Sequence, residues 1–201
     1  MAANAIPEWR LLADTPSRTP LTLEAIYDAH FDFVWRNVRR MGIPESLAED
    51  VVQDVFLVVH RRLKEFDHRS AVTTWLFGIL LRVVHDHRRA QKRHNARVEQ
   101  AGRVWSDRSD ESASPHEQAV RRQAVEVLYQ LLSQLDEDKR AMVVMVDLEQ
   151  MAVNEAAAIL NLNVNTAQAR LRAGRLLFNA AVTAMRNDEH KLMSGAGQGD
   201  E

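Results

Sequence analysis

Residues Met151–Phe178 read MAVNEAAAILNLNVNTAQARLRAGRLLF, and the turn in the middle of this stretch decides the architecture. Glu155–Leu160 is a short Ala-rich helix whose small side chains allow another helix to pack closely. Asn161 falls where a tight turn needs a left-handed residue, a conformation that Asn tolerates less readily than Gly. Leu162 plugs the turn, and Asn163 is positioned to cap the next helix. On that helix Val164, Ala167, Leu171, Gly174 and Phe178 share one face and are expected to pack inward. Asn165, Ala169, Arg172 and Ala173 lie opposite, with Gln168 alongside and Arg170 and Arg175 nearer the edges. This is the pattern of a helix-turn-helix, with amide and guanidinium groups aimed at base edges and flanking cations at phosphates. An ordinary helical hairpin shares the apolar spacing, so the surroundings of the stretch carry weight.

Upstream, apolar residues recur at helical spacing in further segments. One helix is expected from near Thr22 to Arg40, ended by Gly42 and Pro44. A second spans about 46–65. A third spans about 71–93, with Ser70 as its N-cap. Residues 96–114 are polar, Ser/Asp-rich and without sustained periodicity, and they read as a linker too long for a connection inside one compact domain. Ser114-Pro115-His116-Glu117 fits a capping box that opens a helix to about Leu135. Helices over 137–149, 152–160 and 164–185 complete the reading. Residues 1–20 are expected to be loose and 188–201 to form a disordered tail. The fold class is therefore all-α: two small helical domains, 21–95 and 115–187, joined by a flexible linker, the second a helix-turn-helix.

Composition bounds what such a chain does. It has 201 residues, 46% of them hydrophobic, and no cysteine, which excludes disulfides and thiolate metal sites. No secretory signal and no membrane-length apolar run are visible, so the default is a cytoplasmic protein without stable membrane insertion. The net charge of -2 argues weakly against a free-standing nucleic-acid binder, but the distribution matters more. From Arg82 to Arg97 six Lys/Arg stand against one acid, Asp86. A second basic patch holds Arg170, Arg172 and Arg175.

On the helix over 46–65, Leu47, Val51, Val52, Val55, Phe56, Val58, Val59 and Leu63 cover one broad arc that is expected to be buried. Asp50, Gln53, Asp54, Leu57 and Arg61 form a narrow stripe on the other side. An arbitrary polar stripe is a solvated face, but Leu57 at the centre suits docking against another helix pair. The following helix ends in Arg82, Arg88, Arg89, Lys92 and Arg93, more cations than its dipole needs, which suits phosphate contacts. Trp75 is either core or the border of a site where unstacked bases are held. His85-Asp86-His87, with His60 and His68, raises a metal-dependent phosphohydrolase as a remote alternative. Neighbouring helical residues point about 100° apart and do not converge on one ion, so no metal and no cofactor is expected.

Three stretches together resemble a family: AEDVVQDVFLVVHRRLKEFD, TTWLFGILLRVVHDHRR and LSQLDEDKRAMVVMVDLEQMAVNEAAAILNLNVNTAQARLRAGRLLF. In order and spacing they resemble the extracytoplasmic-function (ECF) sigma factors of the sigma-70 family. The resemblance implies a non-enzymatic subunit that binds core RNA polymerase and directs recognition of the −10 and −35 promoter elements. It implies polymerase docking through Asp50, Gln53, Asp54, Leu57 and Arg61. It implies −10 contacts from Phe66, Asp67, His68, Arg69, Ser70, Trp75, Arg82, Arg88 and Arg89. It implies −35 contacts from Asn163, Asn165, Thr166, Gln168, Ala169, Arg170, Arg172 and Arg175. An anti-sigma factor is the further partner implied. The chain departs from the common family pattern at Leu81-Arg82, Asn161, Gln168 and Ala173. The competing class is a conventional helix-turn-helix regulator that binds DNA without polymerase, which would leave the Asp50–Arg61 stripe without a purpose.

Overall fold

In a computed structural model of the protein, residues 21–98 and 115–195 are described. They are helical, with no strand among them, and they divide into two compact units. The expectations for residues 1–20, 99–114 and 196–201, including the Ser114 cap, lie outside the described residues.

The first unit is built on three helices. Helix α1 (Leu23–Arg40) opens where Thr22 Oγ1 accepts the Ala25 N–H at 3.2 Å, and it stops before Gly42, whose φ of 85° suits a residue without Cβ. Helix α2 (Glu45–Arg62) buries Val51, Val52, Val55, Phe56 and Val59, then tightens into a 3₁₀ turn over Leu63–Glu65. Helix α3 (Val72–Val98) inserts Leu76, Phe77, Leu80 and Val84 into the same core. At roughly 1.5–3 kcal/mol for each fully buried large apolar side chain, this burial is what holds the three helices together.

Two expectations for this unit need correction. Ser70 is not the N-cap of α3. The helix begins at Val72, and the Ala71 carbonyl accepts the first helical bond from Trp75 N at 3.1 Å. The reversal is made earlier: Asp67 Oδ1 accepts the Arg69 N–H at 3.1 Å and His68 adopts a φ of 57°, which leaves Ser70 outside the helix. Residues 96–98, expected in the linker, continue α3.

The second unit begins with α4 (Pro115–Ser133) and α5 (Glu137–Val143). Asp136 caps α5, its Oδ1 accepting Lys139 N at 3.0 Å while its other oxygen pairs with the Lys139 ammonium. Arg140 Nη2 donates to Ser133 O at 3.0 Å and Leu135 O at 2.9 Å, satisfying carbonyls at the α4 end. The single helix expected over 137–149 is interrupted. From Val144 to Leu148 the backbone widens into a π turn, with Glu149 N donating to Val144 O at 2.9 Å. Val143, Val144 and Val146 stand here, and their branched Cβ atoms crowd a regular helical turn.

Helix α6 (Val153–Ile159) is opened by Glu155, whose Oε2 accepts Ala152 N at 3.0 Å. Asn161 takes the expected left-handed conformation with φ 53°, and Leu162 N closes on Ala157 O at 2.8 Å. Asn163 Oδ1 then accepts Thr166 N at 2.8 Å, capping α7 (Val164–Gly195). Residues 188–195, expected in a disordered tail, lie in α7. Gly174 is needed where α7 crosses α5: a Cβ there would stand 2.8 Å from Val143 Cγ2 and 3.2 Å from the Lys139 carbonyl oxygen.

Candidate nucleic-acid and protein interfaces

The stripe on α2 is exposed as a unit: Asp50, Gln53, Asp54, Leu57 and Arg61 all face outward, opposite the valines of the core. Leu57 is 46% exposed, so an apolar group stands uncovered among four polar ones. Beside the stripe, Phe56 turns inward against Tyr27 of α1, with ring centroids 4.7 Å apart. Tyr27, Phe31 and Trp35 recur every four residues, with the Tyr27 ring tilted against Phe31 at 5.3 Å and Phe31 stacked on Trp35 at 6.1 Å. The periodicity of α1 carries this aromatic ladder, although reading the sequence gives none of its members a place in a site.

The segment leading into α3 divides by burial. Asp67, His68, Arg69 and Ser70 are exposed, with Arg69 Nε 3.4 Å from Asp67 Oδ2. Phe66 is buried, its ring 5.0 Å from Trp75 and 4.7 Å from His68. Phe66 is therefore a seat for Trp75 within the fold, and it offers no open ring face. Trp75 itself is half-buried, between the two alternatives left open by its sequence. On α3 the residues Trp75, Arg82 and Arg89 are spaced by seven, which places them nearly in line over about 20 Å of helix. Arg82 and Arg89 are exposed and Arg88 is half-buried to one side.

On α7 the inward face carries Ala167, Leu171 and Gly174 buried, with Phe178 half-buried. Val164, expected inward, is 43% exposed at the first position of the helix. Asn163, Asn165, Gln168, Ala169 and Arg172 face outward, and Thr166 is half-buried. The three arginines separate. Arg170 Nη1 lies 2.8 Å from Asp138 Oδ2 of α5. Arg175 forks onto Asp147 of the π turn, Nε to Oδ2 at 3.0 Å and Nη2 to Oδ1 at 2.6 Å. That hydrogen bonding raises the Arg175 pKa above its ordinary value. Hydrogen bonds from the Lys139 side chain and backbone hold the Asp136 carboxyl below its ordinary value. No ion pair is found for Arg172 among the described residues.

An exposed stripe of mixed polarity, a basic helix flanked by an aromatic, and an outward-facing amide and guanidinium helix can bind a helical protein surface, an opened strand and a duplex groove. Comparison with known proteins agrees with that set. Residues 26–94 match the family model for Sigma-70 region 2, and residues 126–177 match that for Sigma-70, region 4. The RNA polymerase sigma factor CnrH of Cupriavidus metallidurans is 30% identical over 154 residues, covering 73% of this chain and 78% of CnrH. The ECF RNA polymerase sigma factor SigX of Bacillus subtilis is 28% identical over 155 residues, 74% of this chain and 79% of SigX. The solved structure of CnrH in complex with the cytosolic domain of CnrY superposes with a TM-score of 0.58 at 25% identity, over 81% of this chain and 88% of that one. The sigma factor RpoE of Bartonella quintana, solved with the anti-sigma factor NepR, shares the fold with a TM-score of 0.60 at 18% identity, over 78% of this chain and 96% of that one. With both halves of its helical pattern matched in order, the chain belongs to the ECF group of the sigma-70 family: it is an RNA polymerase sigma factor, a promoter-recognising initiation subunit and not an enzyme.

Proposed function

We propose a division of the sigma-factor task between the two units, residue by residue. In the first unit Asp50, Gln53, Asp54, Leu57 and Arg61 dock on core RNA polymerase. The exposed turn Asp67–Ser70 and the Trp75–Arg82–Arg89 line hold the opened −10 strand, with Phe66 seating Trp75. In the second unit Asn163, Asn165, Thr166, Gln168, Ala169 and Arg172 meet the −35 duplex. The observation that carries the reading is Leu57, an apolar side chain left uncovered at the centre of a polar stripe.

Binding energy drives strand opening in this scheme, since bases held in pockets offset the few kcal/mol that unstacking costs. The setting is the cytoplasm, where core polymerase works; no helix among the described residues is long and apolar enough to cross a membrane. An anti-sigma factor is the third partner in this reading, in keeping with RpoE solved with the anti-sigma factor NepR and CnrH solved in complex with the cytosolic domain of CnrY. Run-off transcription from genomic fragments with purified core polymerase tests the whole: promoter-specific transcripts require the added chain. A chain that never co-elutes with core polymerase, at any salt concentration, overturns it.

A further inference from the structure

Arg170 and Arg175 are the residues whose chemistry best suits phosphate, and the fold gives both of them to acids of its own. At about 100° per residue, they flank the inward face of α7 on opposite sides, with Gly174 between them on the helix wheel. At Gly174 α7 passes α5 closely enough that a Cβ would stand 2.8 Å from Val143 Cγ2. One edge of the helix is tied to Asp138 on α5, at 2.8 Å. The other is tied by a two-bond fork to Asp147 on the π turn. Asp147 and Arg175 also stand together at the rim of an apolar pocket lined by Leu128, Leu132, Leu148 and Phe178. The apolar contact, close-packed at Gly174, sets the separation of the two helices, and a charged group tied at each edge adds a directional restraint on rotation of α7 about its own axis. Two ion pairs on opposite edges of the contact resist rotation in both senses.

We infer that Asp138 and Asp147 are positioning residues for −35 recognition: through Arg170 and Arg175 they fix the roll of α7, and with it the aim of Gln168 and Arg172. The inference rests on the reading of α7 as the −35 helix. Gln168 and Arg172 are one turn apart on the outward side, so any roll displaces both together. A roll of about 20° at the roughly 6 Å radius of the side-chain surface moves both side chains by about 2 Å. Bidentate base contacts hold only within about 0.5 Å of their productive geometry. Exposed ion pairs contribute little to stability, but a forked guanidinium–carboxylate pair adds orientation that a single contact does not.

The test uses holoenzyme made from the full chain and core RNA polymerase. It transcribes a promoter library randomised across the −35 element, and sequencing of the transcribed templates gives the base preference at each position. Asp138→Asn and Asp147→Asn are each expected to flatten that preference by about tenfold, the effect of removing one bidentate pairing with a base. Core affinity and the slope of log affinity against log salt stay unchanged. Exchanging the pair, Asp147→Arg with Arg175→Asp, is expected to restore the preference. Arg175 as a phosphate contact predicts the opposite: Asp147→Asn leaves the preference intact, Arg175→Ala lowers the salt slope by about 0.9, and the exchanged pair abolishes binding. Any of those results overturns the inference. A preference sensitive to Arg172→Ala but indifferent to both Asp→Asn changes overturns it alone. A preference indifferent to Arg172→Ala overturns the reading of α7 as well.

Discussion

Arg172 is the guanidinium that remains available on the stretch of α7 proposed to meet the −35 duplex, since Arg170 and Arg175 are spoken for by Asp138 and Asp147. Arg172→Ala is therefore expected to cost about 1–3 kcal/mol of discrimination at the base it reads, measured as the ratio of affinities for matched and singly changed −35 duplexes by the holoenzyme. Loss of the Asp136 cap has a different signature. Asp136→Ala is expected to lower the stability of the second unit by about 1 kcal/mol in denaturant titrations, without a base preference of its own. Acid acts at two places in sequence. Burial lowers the His30 pKa from 6.5, so the unfolded state binds the proton more readily and the first unit weakens as pH falls below that value. The Asp136 carboxyl is lowered from 3.8 by Lys139, so its contribution is present above that value and is lost as pH falls through the lower folded one. Far-ultraviolet ellipticity followed beside tryptophan emission across pH 3–7, with Trp9 and Trp105 changed to Phe so that only Trp35 and Trp75 of the first unit emit, is expected to show the first unit responding first. These residue-level facts were only partly legible beforehand. The Asn163 cap and the left-handed Asn161 follow from local chemistry, and both are present. The acid partners of Arg170 and Arg175 depend on which residues another helix brings near, and the sequence of α7 holds no trace of them.

At the scale of the helices, periodicity located the α-helices of the described residues because each buries one face, and burial writes itself into spacing. Ends and irregularities were harder. Ser70 has the right side chain for a cap, but Asp67 and His68 complete the reversal first, so the helix starts beyond it. The π turn at Val144–Leu148 left no mark in the apolar pattern, since its residues remain buried or half-buried. The α2 stripe was fully legible, because its exposure follows from the valine arc opposite. Its role is testable at this scale: Asp54→Lys reverses a charge on an exposed surface, so it is expected to abolish co-elution with core polymerase while leaving the thermal unfolding of the first unit unchanged. Unaltered polymerase affinity removes α2 from the docking surface. Crossing geometry gives a second expectation. Gly174→Ala gains helix propensity but drives a methyl against Val143 and the Lys139 carbonyl, for a net loss of about 1 kcal/mol in the second unit's stability.

At the scale of the whole molecule, net charge and site charge pull apart. The chain carries -2 overall, and two of the three arginines on the first half of α7, Arg170 and Arg175, are paired with acids of the same unit. Few cations remain on α7 to displace counterions from a −35 duplex, so the free chain is expected to bind promoter duplex weakly and to need polymerase for useful affinity. Nanomolar binding to a promoter duplex without core enzyme, measured by fluorescence anisotropy, would contradict this. The seating of Trp75 on Phe66 has a practical corollary. The four indoles are Trp9, Trp35, Trp75 and Trp105, and residues 115–195 contain none. Once Trp9 and Trp105 are changed to Phe, tryptophan emission follows the first unit alone while far-ultraviolet ellipticity follows both. The chain thus carries its own spectroscopic label, able to report the melting of one half while the other stays dark.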